Sequence, residues 1–226
     1  MVENLGVIQR WRSIRRYRDE AVPEDVLQVI LEAGRRAPSW ENVQPWHFIA
    51  ITDSAVKAKL QELARGQKHI GLAPVVIACC GDIGAWDKKR NREVLMELIQ
   101  AGAMKATEEM VDNFLLKDPM FCVAENEPAI VLARTMEQVA IAYTFMALEA
   151  VNQGLGVCMV GAFGNDVIKG KEELYREVRR MLNLPDDHYL LALLTMGYPV
   201  EEPPARPRKP LDKAASRGVY GKRFKV

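Results

Sequence analysis

Two basic segments near opposite ends of the chain carry the side chains best suited to binding a phosphate. Residues 10–18 read Arg-Trp-Arg-Ser-Ile-Arg-Arg-Tyr-Arg, so five arginines and a serine fall within nine residues. Near the other end, Arg206, Arg208 and Lys209 lie in a proline-rich stretch, residues 199–210. Arginine offers a planar fork of donors that matches phosphate oxygens, and serine adds a hydroxyl. The alternative for both segments is a solvated basic surface.

A third segment, residues 37–46, could present polar groups to a flat ligand. It reads Ala-Pro-Ser-Trp-Glu-Asn-Val-Gln-Pro-Trp and joins an apolar helix pattern to a strand pattern. Its two prolines stiffen the loop, because each fixes its own φ and restricts the residue before it. A stiff loop with Ser39, Asn42 and Gln44 is suited to lining a planar molecule. An ordinary helix-to-strand turn is the alternative interpretation.

Other kinds of chemistry find little support in the sequence. The chain has four cysteines (Cys79, Cys80, Cys122 and Cys158) and three histidines, with no metal-ligand spacing, so we expect no metal site. Cys79 and Cys80 end an apolar strand pattern and are interpreted as buried thiols. We find no Ser-His-Asp or Cys-His arrangement and therefore assign no catalytic residue. The net charge of +1 gives no reason to expect a nucleic-acid partner.

Hydrophobic patterns predict a mixture of helices and strands that would position these segments. The predicted helices cover residues 3–10, 23–36, 53–65, 129–152 and 166–181, and the predicted strands cover 47–52, 74–80, 157–160 and 189–196. Asp53 or Ser54 is expected to cap the third helix. The second strand is nearly all apolar and should be central. The long helix 129–152 is apolar on most faces, so we expect it to be buried on nearly every side, which packing against a second subunit could achieve.

Residues 87–128 form an excursion from this pattern. The part from 87 to 116 is helical in pattern, charged and rich in methionine, and the part from 118 to 128 is irregular. Its Met and Phe side chains either give a lid an adaptable apolar surface or bury the excursion's own helices. We therefore predict one domain over residues 1–226, with a helical lid insertion at about 86–127.

The glycines of Gly154-Leu155-Gly156 do not form a dinucleotide-binding turn. A helix precedes them and a strand follows, whereas the dinucleotide fingerprint needs the opposite order. Gly154 is better interpreted as a helix C-cap in the left-handed conformation. Any nucleotide must then be held by arginine side chains rather than by a glycine-rich cradle.

Together, in this order and at these distances, the motifs resemble the FMN-dependent nitroreductase superfamily over nearly the whole chain. Residues 12–15 match its Arg-Ser-x-Arg element, and residues 37–46 match Ala-Pro-Ser-x-x-Asn-x-Gln-Pro-Trp at each defined position. Residues 154–156 match its Gly-Leu-Gly element, while 197–199 and 208–211 match the closing Gly-Tyr-Pro and Arg-Lys-Pro-Leu. One departure is Trp11, which stands where the family commonly has a second arginine.

The resemblance implies an α+β fold with a central, mostly antiparallel sheet flanked by helices, in an intertwined homodimer. It also implies non-covalent FMN. Five residues would bind the phosphate and ribityl chain: Arg12, Ser13, Arg15, Arg206 and Arg208. Four would line the flavin, partly across the dimer interface: Pro38, Ser39, Asn42 and Gln44. Met159, Gly161 and Ala162 would pass the ring near N5, and Lys68 would contact the flavin.

The resemblance implies an FMN-dependent oxidoreductase that takes a hydride from NAD(P)H and reduces nitro compounds, quinones or a similar small acceptor by a ping-pong mechanism. Another reaction of the superfamily is the nearest alternative: reductive dehalogenation, enone reduction or flavin breakdown. A flavin-binding module without turnover and a purely structural α/β protein are the others. No signal-peptide pattern and no apolar run of membrane-spanning length are visible, so we expect a cytoplasmic protein with no membrane partner.

Overall fold

A computed structural model describes residues 6–161 and 169–224 of the chain and contains the predicted pattern of helices and strands. Its helices are α1 Gly6–Arg10, α2 Glu24–Arg35, α3 Ser54–Leu63, α4 Lys68–Leu72, α5 Lys88–Gln100, α6 Glu108–Asn113, α7 Pro128–Asn152, α8 Glu172–Met181 and α9 Leu211–Ala214. Its strands are β1 Trp46–Ile51, β2 Val75–Asp82, β3 Gly156–Val160 and β4 His188–Gly197. The short helices α4 and α9 were not predicted. Residues 3–5 and 166–168, predicted to be helical, lie outside the described residues, and α8 begins only at Glu172.

The four strands form one antiparallel sheet in the order β1-β2-β4-β3. Every residue of β2 is buried, which confirms the prediction of a central strand. Because side chains alternate along a strand, Val75 and Ile77 face one hydrophobic cluster with α2 and α7, while Val76 and Ala78 face another with α3 and α8. The predicted fold class, a mostly antiparallel sheet flanked by helices, is confirmed.

Two local predictions about helix ends are confirmed. The Asp53 side chain accepts a hydrogen bond from the Val56 backbone N–H at 2.9 Å, as expected of an N-cap. Gly154 follows α7 with φ of +82°, in the left-handed region that glycine occupies without steric cost. Cys79 and Cys80 are both buried, as predicted.

The excursion is less regular than its sequence pattern indicates. The helical pattern over 87–116 breaks after α5, where Gly102 has φ of +70°, and resumes as α6. Arg92 holds the two helices together, because its Nε donates to Asp112 at 2.6 Å. The predicted irregular part consists of short 3-10 turns. At the base of the excursion, Arg90 forms an ion pair with buried Asp82, at 2.5 Å.

Helix α7 crosses one face of the sheet but is not covered on every side by its own chain. Ile130, Met136 and Phe145 each expose more than a third of their surface. The prediction that this helix is buried on nearly every side is therefore not met within one chain, and the second subunit stays a prediction. No helix in the described ranges combines the length and the apolar character needed to cross a lipid bilayer.

Candidate anion and cofactor site

The N-terminal basic segment is fixed along the outer edge of β3. Ser13 pairs with Val157 in a parallel bridge, and the Ile14 N–H donates to the Val157 carbonyl at 2.8 Å. Gly156 makes this approach possible, because a Cβ there would lie 2.7 Å from three side-chain carbons of Ile14. The two glycines of the Gly154-Leu155-Gly156 motif thus have different roles. Gly154 allows a left-handed turn, and Gly156 allows close packing of Ile14.

Tyr17 joins this segment to the beginning of the C-terminal proline-rich stretch. Its hydroxyl donates to the Ile14 carbonyl at 2.7 Å and lies 2.8 Å from the Thr195 hydroxyl on β4. Tyr17 also pairs with Pro199, and the Arg18 N–H donates to the Tyr198 carbonyl at 2.8 Å. The two basic segments, far apart in sequence, are therefore led toward the same edge of the sheet.

There they enclose a cleft of about 90 Å³. Its lining consists of residues from both ends of the chain: Trp11, Arg12, Ser13, Arg15, Pro203, Pro204, Arg206 and Arg208. The structure thus brings together all five residues predicted to bind the phosphate and ribityl chain. Trp11, the departure from the family pattern, contributes an apolar wall, while Arg10 lines a neighbouring cleft with Arg12 and Gly154.

None of the four arginines of this cleft forms an ion pair with a carboxylate of the described residues. Arg12 donates to the carbonyls of Gln9 and Trp11, and Arg208 donates to those of Arg206 and Pro207. Arginines elsewhere are engaged by acids, as Arg92 is by Asp112. Four guanidinium groups that have no counter-ion among the described residues make an attractive site for an anion.

Arg15 and Arg206 act electrostatically on one buried thiol. Burial raises the pKa of Cys158, and both guanidinium groups partly offset that rise by favouring the thiolate. Cys158 belongs to β3, beside the bridge formed by Ser13. The two arginines, almost 200 residues apart in sequence, therefore converge on the same strand.

A larger groove, of about 750 Å³, runs along residues 16–22 and 71–75, but it is a poorer anion site. Two acids, Asp19 and Glu20, line it beside its basic side chains, and Arg16 already pairs with the carboxylate of Glu201 at 3.0 Å. Size alone therefore does not identify the functional site, and the chemistry favours the smaller cleft.

Beyond the cleft, β3 ends in the segment predicted to pass the flavin ring. Met159 is partly buried, and Gly161 is exposed, with no atom of the described residues within 4 Å of the position a Cβ would take. Ala162 lies outside the described residues. Lys68 is exposed at the start of α4. That these residues line a flavin ring stays a prediction.

The loop over residues 38–44 has an unusual backbone. Glu41, Asn42 and Gln44 have φ of 50°, 58° and 47°, in the left-handed region that side chains other than glycine rarely adopt. The Ser39 hydroxyl supports this shape by accepting a hydrogen bond from the Gln44 N–H at 3.0 Å. Pro38, Asn42 and Gln44 are exposed. Such strain persists when surrounding structure imposes it, and it is common at ligand-binding sites.

Helix α7 holds the loop in place. The Trp40 N–H donates to the buried Gln138 side chain at 2.8 Å, and the Arg134 guanidinium lies 5.1 Å from the centre of the Trp40 ring. Glu41 accepts a hydrogen bond from the Trp40 indole N–H and interacts with Asn91 of α5. Burial raises the pKa of Glu41, an effect that these bonds and Arg134 partly offset. Sequence reasoning did not single out Glu41, because nothing in the sequence of a polar loop indicates that one of its acids is buried.

The loop and the arginine cleft lie at different ends of the chain's own structure. Along α7, the loop contacts Gln138, whereas Arg12 lies near Val151, thirteen residues or about 20 Å further along the helix. Across the sheet, the loop leads into β1 at one edge, and Ser13 lies outside β3 at the other edge. Ser13 is therefore four strand spacings, or about 19 Å, from β1. The expected ring-lining residues and phosphate-binding residues are therefore not assembled into one site by a single chain.

Known proteins share both the sequence and the architecture. The model of the nitroreductase family matches residues 8–198. An NADH dehydrogenase of Thermus thermophilus is 34% identical over 202 residues, 89% of each chain. An FMN reductase [NAD(P)H] of Bacillus subtilis is 28% identical over 97% of this chain and 75% of its own. A nitroreductase candidate from Exiguobacterium sibiricum, solved in complex with FMN, superposes with a TM-score of 0.73 at 21% identity, covering 93% of this chain and 95% of its own. The chain belongs to the nitroreductase family.

Proposed function

We propose that this protein is an FMN-dependent oxidoreductase that uses NAD(P)H, and that its arginine cleft binds the FMN phosphate. The single observation that carries the proposal is the cleft itself, in which Arg12, Arg15, Arg206 and Arg208 meet without an acidic partner in the described part of the chain. Ser13 adds a hydroxyl. Each charge-assisted hydrogen bond contributes roughly 1.5–3 kcal/mol before desolvation is counted, so several together could hold FMN without a covalent link.

The flavin ring requires residues that the arginine cleft does not provide. Met159, Gly161 and Ala162 would pass the ring near N5, and Lys68 would contact it from α4. The loop that carries Pro38, Ser39, Asn42 and Gln44 is about 20 Å from the arginines of its own chain. We therefore propose that the loop is supplied by a second copy in a homodimer, whose contact would also cover the exposed apolar side chains of α7.

Bound FMN supplies the hydride chemistry, and the protein binds and orients it. The acceptor would be a nitro compound, a quinone or a similar small molecule. The reductant and the acceptor would occupy the same open side of the site in turn, which gives ping-pong kinetics. Residues 86–127 would act as the lid over that side, within one domain that spans residues 1–226. We place the protein in the cytoplasm.

Another reaction of the same family is a second candidate. An iodotyrosine deiodinase of Thermotoga neapolitana is 24% identical over 198 residues, so relatives at this distance include a dehalogenase. In this chain the excursion follows β2, as in the simple nitroreductases that it resembles. That position favours reduction of a small acceptor over dehalogenation.

The visible spectrum of the purified protein tests the proposal. We expect the bands of oxidised flavin, near 370 and 450 nm (roughly, since they belong to the chromophore). Under anaerobic conditions NADH or NADPH should bleach them without a partner protein, and a quinone should restore them. A flavin that neither NADH nor NADPH bleaches would indicate a binding module without turnover. A colourless protein that takes up no FMN would leave only the structural alternative.

A further inference from the structure

A small hydrophobic cluster, the Trp86 cluster, joins the loop 38–44 to both ends of the excursion. Its buried members are Val43 of the loop, Ala85 and Trp86 just before α5, Val123 near the end of the excursion, and Val131 of α7. Trp86 is the largest of them and has an exposed fraction of 3%. The cluster is separate from the two larger clusters on the faces of the sheet. Three segments that are distant in sequence therefore pack together beside α7.

Val43 anchors the part of the loop that has the unusual backbone. It is buried, whereas its neighbours Asn42 and Gln44 are exposed and have left-handed φ of 58° and 47°. Residues other than glycine keep such φ values only where surrounding contacts impose them. Trp40 provides a second anchor, because its N–H donates to the Gln138 side chain. Burial of Val43 therefore helps to fix the direction of the two exposed side chains beside it.

Trp86 is itself held in one orientation. Its indole Nε1 donates to the Thr135 hydroxyl on α7 at 2.8 Å, and that hydroxyl donates to the Val131 carbonyl at 2.8 Å. A buried indole ring usually pairs its N–H, and the bond fixes the ring relative to its partner. Val43 thus packs into a cluster whose largest side chain is tied to the longest helix of the chain.

We propose that Trp86 is a positioning residue for the flavin, which acts through Val43 and directs Asn42 and Gln44 toward the ring. The proposal rests on the proposed function, in which those two side chains line bound FMN. With an exposed fraction of 3%, Trp86 offers almost no surface to a ligand and would act only through the loop. Its effect should concern the ring end of the cofactor and not the phosphate, which is assigned to the arginine cleft.

The test is a double-mutant cycle that is followed by flavin fluorescence. The apoproteins of the wild type, Trp86→Leu, Val43→Ala and the double variant would be titrated with FMN and with riboflavin, which lacks the phosphate. We expect Trp86→Leu to weaken both flavins by the same factor, at least fivefold, and Val43→Ala to weaken both at least threefold. Since both substitutions act on one set of contacts, the double variant should lose much less than the product of the two factors. Trp86→Phe, which keeps a ring, should recover most of the loss.

Val178→Ala is the matched control, since this buried valine belongs to the cluster with α3 and α8 on the other face of the sheet. It should lower stability in denaturant unfolding and leave both affinities unchanged. An equal loss of flavin affinity in Val178→Ala would show a general effect of destabilisation and would overturn the inference. So would a folded Trp86→Leu that binds both flavins like the wild type, or an effect that simply multiplies with that of Val43→Ala.

Two further outcomes are decisive. If Trp86→Leu weakens only FMN, it acts on the phosphate end and the inference is wrong. If Trp86→Leu does not fold, Thr135→Val replaces it, because this change removes the partner of the indole N–H and keeps the ring in place. We then expect at least a twofold loss for both flavins, and unchanged affinities would contradict the inference. A wild type that binds no flavin contradicts the proposed function itself.

Discussion

At the scale of single residues, the loop carboxyl Glu41 gives a pH dependence with a definite sign. Burial raises its pKa, so the folded state holds this proton more tightly than the unfolded state does. Its contribution to stability is present below the ordinary Glu pKa of about 4.3 and is lost as pH rises through the raised value. Glu41→Gln removes this titration. We therefore expect the difference in free energy of unfolding, Glu41→Gln minus wild type, to become more positive as pH rises above about 4.

The measurement is chemical denaturation of both proteins between pH 4 and pH 8. Other acids titrate too, as Glu32 does, whose pKa Arg35 and Arg36 lower to about 2, but they are common to both proteins and cancel in the difference. Glu93→Gln, at an exposed acid on α5, removes a carboxyl without touching the loop and serves as the control. A flat difference for Glu41→Gln would show that the carboxyl is not held in a desolvated position.

Residue types alone identified the anion cleft but not the carboxyl of Glu41 in the distant loop 38–44. Arg12, Ser13 and Arg208 could be predicted because phosphate binding demands guanidinium and hydroxyl groups, and these are recognisable in a sequence. The environment of Glu41 could not be predicted, because it depends on burial against α5 and α7. Burial is set by how distant elements pack and leaves no local pattern.

At the scale of secondary structure elements, the close contact between β3 and the N-terminal segment should be sensitive to one methyl group. Gly156→Ala places a Cβ 2.7 Å from the branched Ile14 side chain, so Ile14 and the adjoining Ser13 and Arg15 must move. Overpacking of this kind costs about 1–3 kcal/mol. We expect a loss of stability in that range by denaturant unfolding, together with weaker FMN binding.

Gly161→Ala is the matched control for stability, since no atom in the described ranges lies within 4 Å of its Cβ. Its free energy of unfolding should stay within about 0.5 kcal/mol of the wild type, as for substitutions away from packed features. Equal stability for Gly156→Ala would mean that the segment is not pressed against β3.

Helices and strands with a clear hydrophobic periodicity could be predicted from the sequence. Conformations that are imposed by contacts with other elements could not. The sheet strands, α2, α3 and α7 follow from apolar periodicity and from caps such as Asp53. The helical pattern over 87–116 was predicted as continuous, because Gly102 alone gives a weak stop signal. The left-handed residues of the loop 38–44 were also beyond prediction, since contacts with α7 and α5 impose them.

At the scale of the whole molecule, the separation of loop and arginines underlies the proposal that two chains share each site. In a symmetric dimer each site would combine the arginines of one copy with the loop of the other. A chain carrying Arg208→Ala and a chain carrying Asn42→Gly would each be defective alone. Glycine suits the left-handed φ of 58° at position 42, so that variant should fold.

Mixed dimers of these two chains, purified through two different tags, should regain one intact site out of two. We expect FMN to bind about half of the sites in the mixed dimer with wild-type affinity, measured by fluorescence titration. Unmixed dimers of either variant serve as controls. If each site were built within one chain, no mixed dimer would contain an intact site, and affinity would remain low at every site.

The central proposal is that guanidinium groups from both ends of the chain converge on one phosphate. The direct measurement is the ratio of riboflavin to FMN dissociation constants for the wild type and for Arg208→Ala, with the surface-paired Arg176→Ala as control. We expect the wild type to prefer FMN strongly. Arg208→Ala should reduce FMN affinity at least tenfold, about 1.4 kcal/mol, while leaving riboflavin binding unchanged. Equal affinity of the wild type for the two flavins, or an unchanged ratio in Arg208→Ala, would contradict it.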